Sequence, residues 1–358
     1  MLSHVRLRPR GGRLGWSRNT SRPSTRNFSQ HQSASQAFEA EAPVRILRPT
    51  AWSAAAVGTI YLTCAAYEVR QDAKKYSEDR RRTLTFEQIE NDRASGRLRE
   101  NSRSSFDIGN GPIGVDSPRA LWDSLNGPAQ VMVSMFGINA AALSVLYMPP
   151  GNVQRLFWGE LAGHVPVEGF FRYRQLLTST FAHTGVLHFS MNMLVMFNFG
   201  SSLAHTPVFK KSGSHTLAFY LSSGIIASLG NHISTRFWPN KFARFVPALG
   251  FSGVVSAIFA AWCVENSDAR VGIMFLPFNC TARNMLEGVT GFEILGVLGA
   301  FRALSALFKT NLLLSTAHAA HLTGLLFGAS YVAYGYGEKL WTPSRRVAFR
   351  SLKSIGLI

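Results

Sequence analysis

The stretch ALGFSGVVSAIFA, residues 248–260, places a serine between two glycines at the start of a run that is apolar enough to cross a bilayer. Pro247 precedes the stretch, and because proline is favoured near helix starts, Ser252 is predicted at or near the first turn of a helix. Gly250 and Gly253 remove the Cβ atoms that would block a substrate backbone or a neighbouring helix. Amide groups at a helix N-terminus have no intrahelical acceptor and can stabilise an oxyanion. The same pattern also serves as a helix-packing motif, so these residues alone leave both interpretations open.

Charge and hydrophobicity divide the chain into a polar N-terminal part and an apolar C-terminal part. Of its 358 residues, 46% are hydrophobic and 16% are charged. Residues 1–127 hold 20 of the 37 Lys and Arg residues and 13 of the 20 Asp and Glu residues. The net charge of +17 would suit a nucleic-acid partner. We predict none, because the basic residues form no stripe interleaved with aromatic residues and much of the excess lies in the N-terminal leader.

The first 38 residues have the composition of a targeting segment. They contain seven Arg and seven Ser and no acidic residue. This pattern predicts a disordered mitochondrial transit peptide over residues 1–38, and RNFS at 26–29 resembles a matrix-peptidase site. A generic basic tail is the alternative.

The rest of the chain predicts an all-α polytopic membrane protein. Residues 51–67 are apolar and are predicted as an extra N-terminal transmembrane helix. Residues 68–127, with 11 basic and 11 acidic side chains, predict a polar mixed-charge linker with some helical stretches. A core over 128–336 and a basic C-terminal tail over 337–358 follow. The core contains six apolar runs, near 129–148, 185–205, 215–233, 248–264, 288–308 and 315–336.

A serine nucleophile needs a base, and the last apolar run offers one. His321, Gly324 and Gly328 are spaced i, i+3 and i+7, so they share one helical face. A face of small residues lets another helix approach closely, which would bring His321 Nε2 within hydrogen-bond reach of Ser252 Oγ. The alternative is a buried histidine bonded to a carbonyl, but an ionisable group inside a span favours a functional role.

Further polar residues lie on the second and fifth runs of the core. His188 and Asn192 are four residues apart and can donate hydrogen bonds toward one spot, as an oxyanion would require; the alternative is a pair that bridges helices. His183 is predicted to orient the helix start or a water molecule. Glu293 is predicted to be a packing or hydrogen-bonded residue, which leaves a Ser–His dyad without a carboxylate.

No metal or cofactor site is predicted from the sequence. The chain has no HExxH motif and no paired aspartates on adjacent apolar runs, as metalloproteases and aspartyl proteases of the membrane would require. The three cysteines, Cys64, Cys263 and Cys280, share no CxxC spacing and are predicted to be buried apolar residues.

Taken together, these residues resemble the rhomboid family of intramembrane serine proteases. The matching positions are Tyr173-Arg174, His183, His188-xxx-Asn192, Gly250-x-Ser252-Gly253 and His321-xx-Gly324-xxx-Gly328. The extra helix, the leader and AHAAHLTG at 317–324 resemble the mitochondrial branch, the presenilin-associated rhomboid-like proteases. Tyr173 stands where the family usually has Trp, and Thr323 stands where a Gly is common.

The resemblance implies a six-helix rhomboid bundle plus one extra N-terminal helix, embedded in the lipid bilayer of the mitochondrial inner membrane as a multi-pass protein. The first loop, 149–182, would lie partly in the membrane interface. The implied partners are single-span membrane proteins with helix-breaking residues near the cut. Family substrates include a dynamin-like fusion GTPase, the cytochrome c peroxidase precursor and a mitophagy kinase.

Two other functional classes fit parts of the sequence. A catalytically silent rhomboid-like scaffold would bind membrane proteins with the same helices and would not need Ser252 together with His321. A transporter or channel is permitted by Glu293 and the intramembrane histidines, although the two halves of the chain show no inverted repeat.

Overall fold

The structure is a computed structural model that describes residues 44–98, 117–167, 171–237, 247–272, 279–300 and 318–358. The predicted transit peptide, 1–38, lies outside the described residues, as does part of the predicted linker.

The described chain is predominantly helical. Its α-helices are, in chain order, α1 (Leu47–Ala73), α2 (Glu78–Thr83), α3 (Phe86–Ala94), α4 (Pro118–Ser124), α5 (Gly127–Leu146), α6 (Asn152–Leu156), α7 (Gln175–Thr178), α8 (Val186–Val195), α9 (Ser201–Ala204), α10 (Gly213–Ser234), α11 (Ser252–Glu265), α12 (Ala282–Val297), α13 (His318–Ala333) and α14 (Tyr336–Ser354). Two π-helical turns, Phe157–Ala162 and Met196–Gly200, follow α6 and α8, and 3₁₀ turns at Ser179–Phe181 and Thr235–Phe237 follow α7 and α10. A short antiparallel pair, β1 (Arg270–Gly272) and β2 (Asn279–Thr281), joins α11 to α12 and was not predicted from the sequence.

A helix lies at each of the six predicted apolar runs of the core, in the order α5, α8, α10, α11, α12 and α13. Among the described residues, one helix, Gly127–Leu146, is long and apolar enough to cross a membrane by length and composition alone, and Ser252–Glu265 is a shorter apolar helix. The second run is continued across the π-helical turn into α9. The number of spans, six plus one, therefore remains a prediction.

The centre of the bundle is the packing of α11 against α13, with α10 beside both. Small residues make this possible. A Cβ on Gly324 would overlap the carbonyl oxygen of Gly253, and a Cβ on Gly328 would overlap that of Ala257. Glycine at both positions thus lets the two backbones approach closely, as the i, i+3, i+7 spacing predicts.

The N-terminal helix is longer than the predicted span of 51–67. It runs over Leu47–Ala73 and packs against α10 and α14. At its buried face, the Tyr61 hydroxyl contacts the Tyr331 hydroxyl at 2.8 Å, and His215 Nε2 lies 2.6 Å from the same Tyr331 oxygen. This aromatic and polar contact joins α1, α10 and α13 in one core.

The charged region after residue 67 and the C-terminal segment are packed parts of the fold. Glu68 and Asp72 are buried at the end of α1, where both pair with Arg345 of α14. Phe86 of α3 packs against Phe349 of α14 with ring centroids 6.0 Å apart. The predicted linker and basic tail therefore contain helices that cover each other, because each has apolar residues on one face.

Candidate functional site

The turn before α11 presents Ser252 at the helix N-terminus. Ala248 forms two backbone hydrogen bonds with His164, of 3.0 and 3.1 Å, and the Gly250 amide donates to Ser179 O at 3.0 Å. Gly250 has a φ of +127°, which side chains other than glycine rarely adopt. This turn ends at Phe251, and Ser252 is the first residue of the helix, as the sequence predicted.

His164, the backbone partner of Ala248, lies in the first loop and holds it against the turn before α11. The side chain is fully buried, and burial lowers its pKa to about 3, so the ring is neutral near pH 7. Its Nε2 lies 3.1 Å from Nδ1 of His232, at the end of α10. The strand-like contact that positions the serine turn is thereby tied to a bundle helix.

The two predicted catalytic side chains meet. His321 Nε2 lies 2.7 Å from Ser252 Oγ, within ordinary hydrogen-bond distance. His321 is on the first turn of α13, and its side chain is 18% exposed, while Ser252 is half-buried. The pair is therefore sheltered yet reachable, which is the arrangement a nucleophile and its base require.

His188 approaches the same space from α8. A Cβ placed on Gly250 would lie 2.9 Å from His188 Cε1, 3.3 Å from His188 Nε2 and 3.6 Å from Ser252 Oγ. The His188 ring and the serine hydroxyl thus lie on either side of one small volume at Gly250. Its other ring nitrogen, Nδ1, lies 3.2 Å from Thr184 Oγ1.

Asn192 is buried one turn further along α8. Its Nδ2 donates to the His188 carbonyl oxygen at 2.8 Å, within its own helix. A primary amide has two N–H donors, so one bond of this kind leaves the second donor for another acceptor. The structure brings Asn192 next to His188, and its predicted role toward an oxyanion stays a prediction.

His183 lies in the segment before α8 and is buried. Its Nδ1 lies 3.2 Å from Phe181 O, and its ring stands edge-on to the His188 ring with centroids 5.1 Å apart. His183 therefore packs against His188. Among the described residues, no contact between His183 and Ser252 is observed.

Two residues at the site were not predicted to belong to it. Glu293 of α12 places Oε1 3.0 Å from His321 Nδ1 and Oε2 2.6 Å from His318 Nδ1. From the sequence, Glu293 is predicted to be a packing or hydrogen-bonded residue outside a Ser–His dyad; in the structure its carboxylate lies at hydrogen-bond distance from His321. A usable signal was present, because His318 and His321 share a helical face and Glu293 is an acid within an apolar run.

The first loop carries the Tyr-Arg pair. Arg174 forms an ion pair with Glu160 and also donates to the Glu160 carbonyl oxygen at 3.1 Å. Tyr173 stacks on Trp52 of α1, with ring centroids 6.2 Å apart and an interplanar angle of 29°. The tyrosine thus links the loop to the extra N-terminal helix.

The site has the Ser–His–carboxylate arrangement that serine hydrolases use. A hydroxyl, an imidazole and a carboxylate follow one another at hydrogen-bond distances, beside the N-terminus of α11, whose first amides have no intrahelical acceptor. Over the described ranges, no group of three or more His, Cys, Asp and Glu side chains is arranged to hold a metal ion.

Comparison with known proteins points the same way. Residues 171–338 match the rhomboid domain family. The mitochondrial presenilin-associated rhomboid-like protein of Mus musculus is 28% identical over 223 residues, 62% of this chain and 52% of that protein. The Homo sapiens protein of the same name is 32% identical over 167 residues, 46% of this chain and 38% of that protein. The form A protein of Danio rerio is 32% identical over 222 residues, 62% of this chain and 51% of that protein.

The chain thus spans about half or less of the length of these curated relatives. No solved structure matches it.

Proposed function

We propose that this chain, whose residues 171–338 match the rhomboid domain family, is an intramembrane serine endopeptidase in which Ser252 is the nucleophile and His321 is the base. The observation that carries the proposal is the 2.7 Å contact between His321 Nε2 and Ser252 Oγ. A scaffold that only binds membrane proteins has no need of this contact, whereas a serine hydroxyl is a weak nucleophile until a base accepts its proton.

In the proposed mechanism, His321 takes the proton of Ser252 as Oγ attacks the scissile carbonyl carbon. The Ser252 amide at the start of α11, together with His188 and Asn192, stabilises the oxyanion. The C–N bond breaks as His321 gives its proton to the leaving amine, and an acyl-enzyme remains on Ser252. Water, deprotonated by His321, then attacks the ester carbonyl. The bond between the acyl carbon and Oγ breaks, and His321 returns the proton to Ser252.

The proposed substrates are single-span membrane proteins that are cut in or near their transmembrane segment. The partial exposure of His321 supports access from the aqueous side of the site. Local unwinding of the substrate helix would free the scissile carbonyl, since a carbonyl engaged in a helix is not presented to a nucleophile. A dynamin-like GTPase and the cytochrome c peroxidase precursor are the named candidates that the family resemblance suggests.

We propose that the protein lies in the mitochondrial inner membrane as a multi-pass protein. The relatives from mouse, human and zebrafish are all named as mitochondrial. The Arg- and Ser-rich composition of residues 1–38 is typical of a leader for that organelle.

Activity-based labelling tests the proposal. The full chain in proteoliposomes is treated with a fluorophosphonate probe and, separately, with a single-span substrate. We expect labelling and cleavage by the wild type, and neither by Ser252→Ala or His321→Ala, because each removes one half of the nucleophile–base pair.

Ser256→Ala is the matched control, since it removes a hydroxyl one turn later on the same helix, where Ser256 Oγ donates to Ser252 O. It should keep both activities. Retained cleavage by the Ser252→Ala protein would overturn the proposal, and an unlabelled wild type that still binds substrate would favour the silent scaffold.

A further inference from the structure

Glu293 is a buried acidic residue on a helix whose neighbouring apolar side chains are exposed. On α12, Ala282 and Glu293 are the buried residues among those described, whereas the apolar neighbours Phe292, Ile294 and Leu295 are 42%, 42% and 51% exposed. A carboxylate inside an apolar bundle is costly unless it is paired, and such residues are usually functional. The helix thus presents these apolar side chains outward and its buried acid, Glu293, to α13.

The carboxylate is held by two histidines at once. Its two oxygens lie 3.0 Å from His321 Nδ1 and 2.6 Å from His318 Nδ1. An ionised carboxylate can only accept hydrogen bonds, so both Nδ1 atoms must carry hydrogen. In His321 this places the free lone pair on Nε2, the nitrogen that faces Ser252 Oγ.

The backbone of α12 makes room for this arrangement. A Cβ on Gly296 would overlap the ring of His318. Phe292, one turn earlier, stands edge-on to the same ring with centroids 5.7 Å apart. His318 is therefore confined between α12 and α13, which fixes the second hydrogen bond to Glu293 and, through it, the rotamer of the carboxylate.

We propose that Glu293, anchored by His318, is the positioning residue of a Ser252–His321–Glu293 triad. The proposal rests on the proposed function and deepens it. Glu293 holds His321 in the tautomer and ring orientation that let Nε2 accept the serine proton. When that proton arrives, His321 is doubly protonated, and the carboxylate stabilises the imidazolium while keeping no proton for itself. Within the described residues, His188 of α8 also interacts electrostatically with His321.

A purely structural tie between α12 and α13 predicts different behaviour. Glu293→Gln keeps the shape of the side chain and loses its charge, whereas Glu293→Asp keeps the charge and shortens the side chain. Facing two Nδ1–H groups, the Gln amide can accept from only one and must direct its N–H₂ group at the other. A structural tie would tolerate Gln better than Asp, and a positioning carboxylate requires the reverse order.

The experiment measures the rate of fluorophosphonate labelling at Ser252 and the kcat and KM of substrate cleavage, using the full chain in proteoliposomes. For Glu293→Gln we expect labelling and kcat to fall by about 10²–10⁴-fold with KM nearly unchanged, and Glu293→Asp to recover part of the loss. His318→Leu removes the second hydrogen bond to Glu293 and keeps an apolar side chain beside Phe292, while the bond from His321 to Glu293 stays. Its loss should therefore be smaller, about 10–100-fold.

Glu287→Gln is the matched control, because it removes the same charge from an exposed position on the same helix. It should match the wild type. Equal rates for Glu293→Gln and the wild type, or a higher rate for Gln than for Asp, would overturn the triad while leaving the protease proposal intact. A wild type that neither labels nor cleaves would instead defeat the proposed function. If Glu293→Gln does not fold, the Asp and His318→Leu variants decide: losses confined to KM would contradict the triad.

Discussion

Both the backbone conformation of Gly250 and its close neighbours restrict substitution at this position. Its φ of +127° lies in the region that L side chains avoid. The position of its absent Cβ is 2.9 Å from His188 Cε1 and 3.6 Å from Ser252 Oγ. The first glycine of the motif therefore serves two purposes at once, since it allows the turn and keeps the space between the imidazole and the hydroxyl open.

Substituting this glycine should impair the chemistry more than the fold. We expect Gly250→Ala to lose about 1–3 kcal/mol of stability from backbone strain and to lose most labelling at Ser252, because the added methyl group displaces His188. Thermal unfolding in detergent and the labelling rate check this. Gly58→Ala is the control, since nothing lies within 4 Å of a Cβ there, and it should be neutral or slightly stabilising. A normal labelling rate for Gly250→Ala would contradict this account of the turn.

At the scale of the helices, the distance between the base and the nucleophile depends on one contact, that of α11 with α13. Gly324 and Gly328 lie directly on backbone carbonyls of the facing helix. His321 is on the same face, one turn before Gly324. Because the two helices touch backbone to backbone, any side chain between them would separate Ser252 from His321.

A larger residue at the middle of this contact should therefore act on both stability and activity. We expect Gly328→Val to destabilise the protein by about 1–3 kcal/mol or more and to reduce labelling at Ser252, although position 328 is two turns from His321. The comparison is with Gly291→Val on α12, which makes the same change in helix propensity but has open space at its Cβ position. Similar unfolding temperatures for the two variants would contradict the close approach.

At the scale of the whole molecule, buried charges join the two ends of the described chain. Arg345 of α14, whose side chain is 2% exposed, contacts Glu68 at 2.6 Å and Asp72 at 3.0 Å on α1. Arg93 of α3 lies 2.9 Å from Glu68 and 3.1 Å from Asp72. The two carboxylates are thus shared by two guanidinium groups, which ties α1, α3 and α14 into one unit beside the bundle.

Removing one member of this network should be costly, because it leaves buried carboxylates with less compensation. We expect Arg345→Met to destabilise the protein by about 3–5 kcal/mol, and a second change, Glu68→Gln, to restore part of the loss. Unfolding in detergent measures both. Arg350→Met removes the same charge at an exposed position of the same helix and should change stability little. An Arg345→Met protein as stable as Arg350→Met would show that the network contributes nothing.

The pairing of Ser252 with His321 could be predicted from local patterns in the chain. Glycines around Ser252 and the spacing of His321, Gly324 and Gly328 are properties of short segments, and the period of a helix converts such spacing into a shared face. That period holds wherever the helix packs, so the prediction did not need the tertiary structure. The observed distance of 2.7 Å between His321 Nε2 and Ser252 Oγ is the geometry that this prediction required.

The partners of Glu293 and Arg345 could not be predicted in this way. Whether Glu293 meets His318 and His321 depends on the rotation of α12 against α13, and the pairing of Arg345 with Glu68 joins residues that are far apart in the sequence. Such pairings are fixed by how the helices pack together, and the spacing of residues along a single segment carries no information about them. The sequence by itself determined the polar residues of the site and the helical faces they share, while the tertiary structure decided which carboxylate contacts His321 and which buried charges pair with one another.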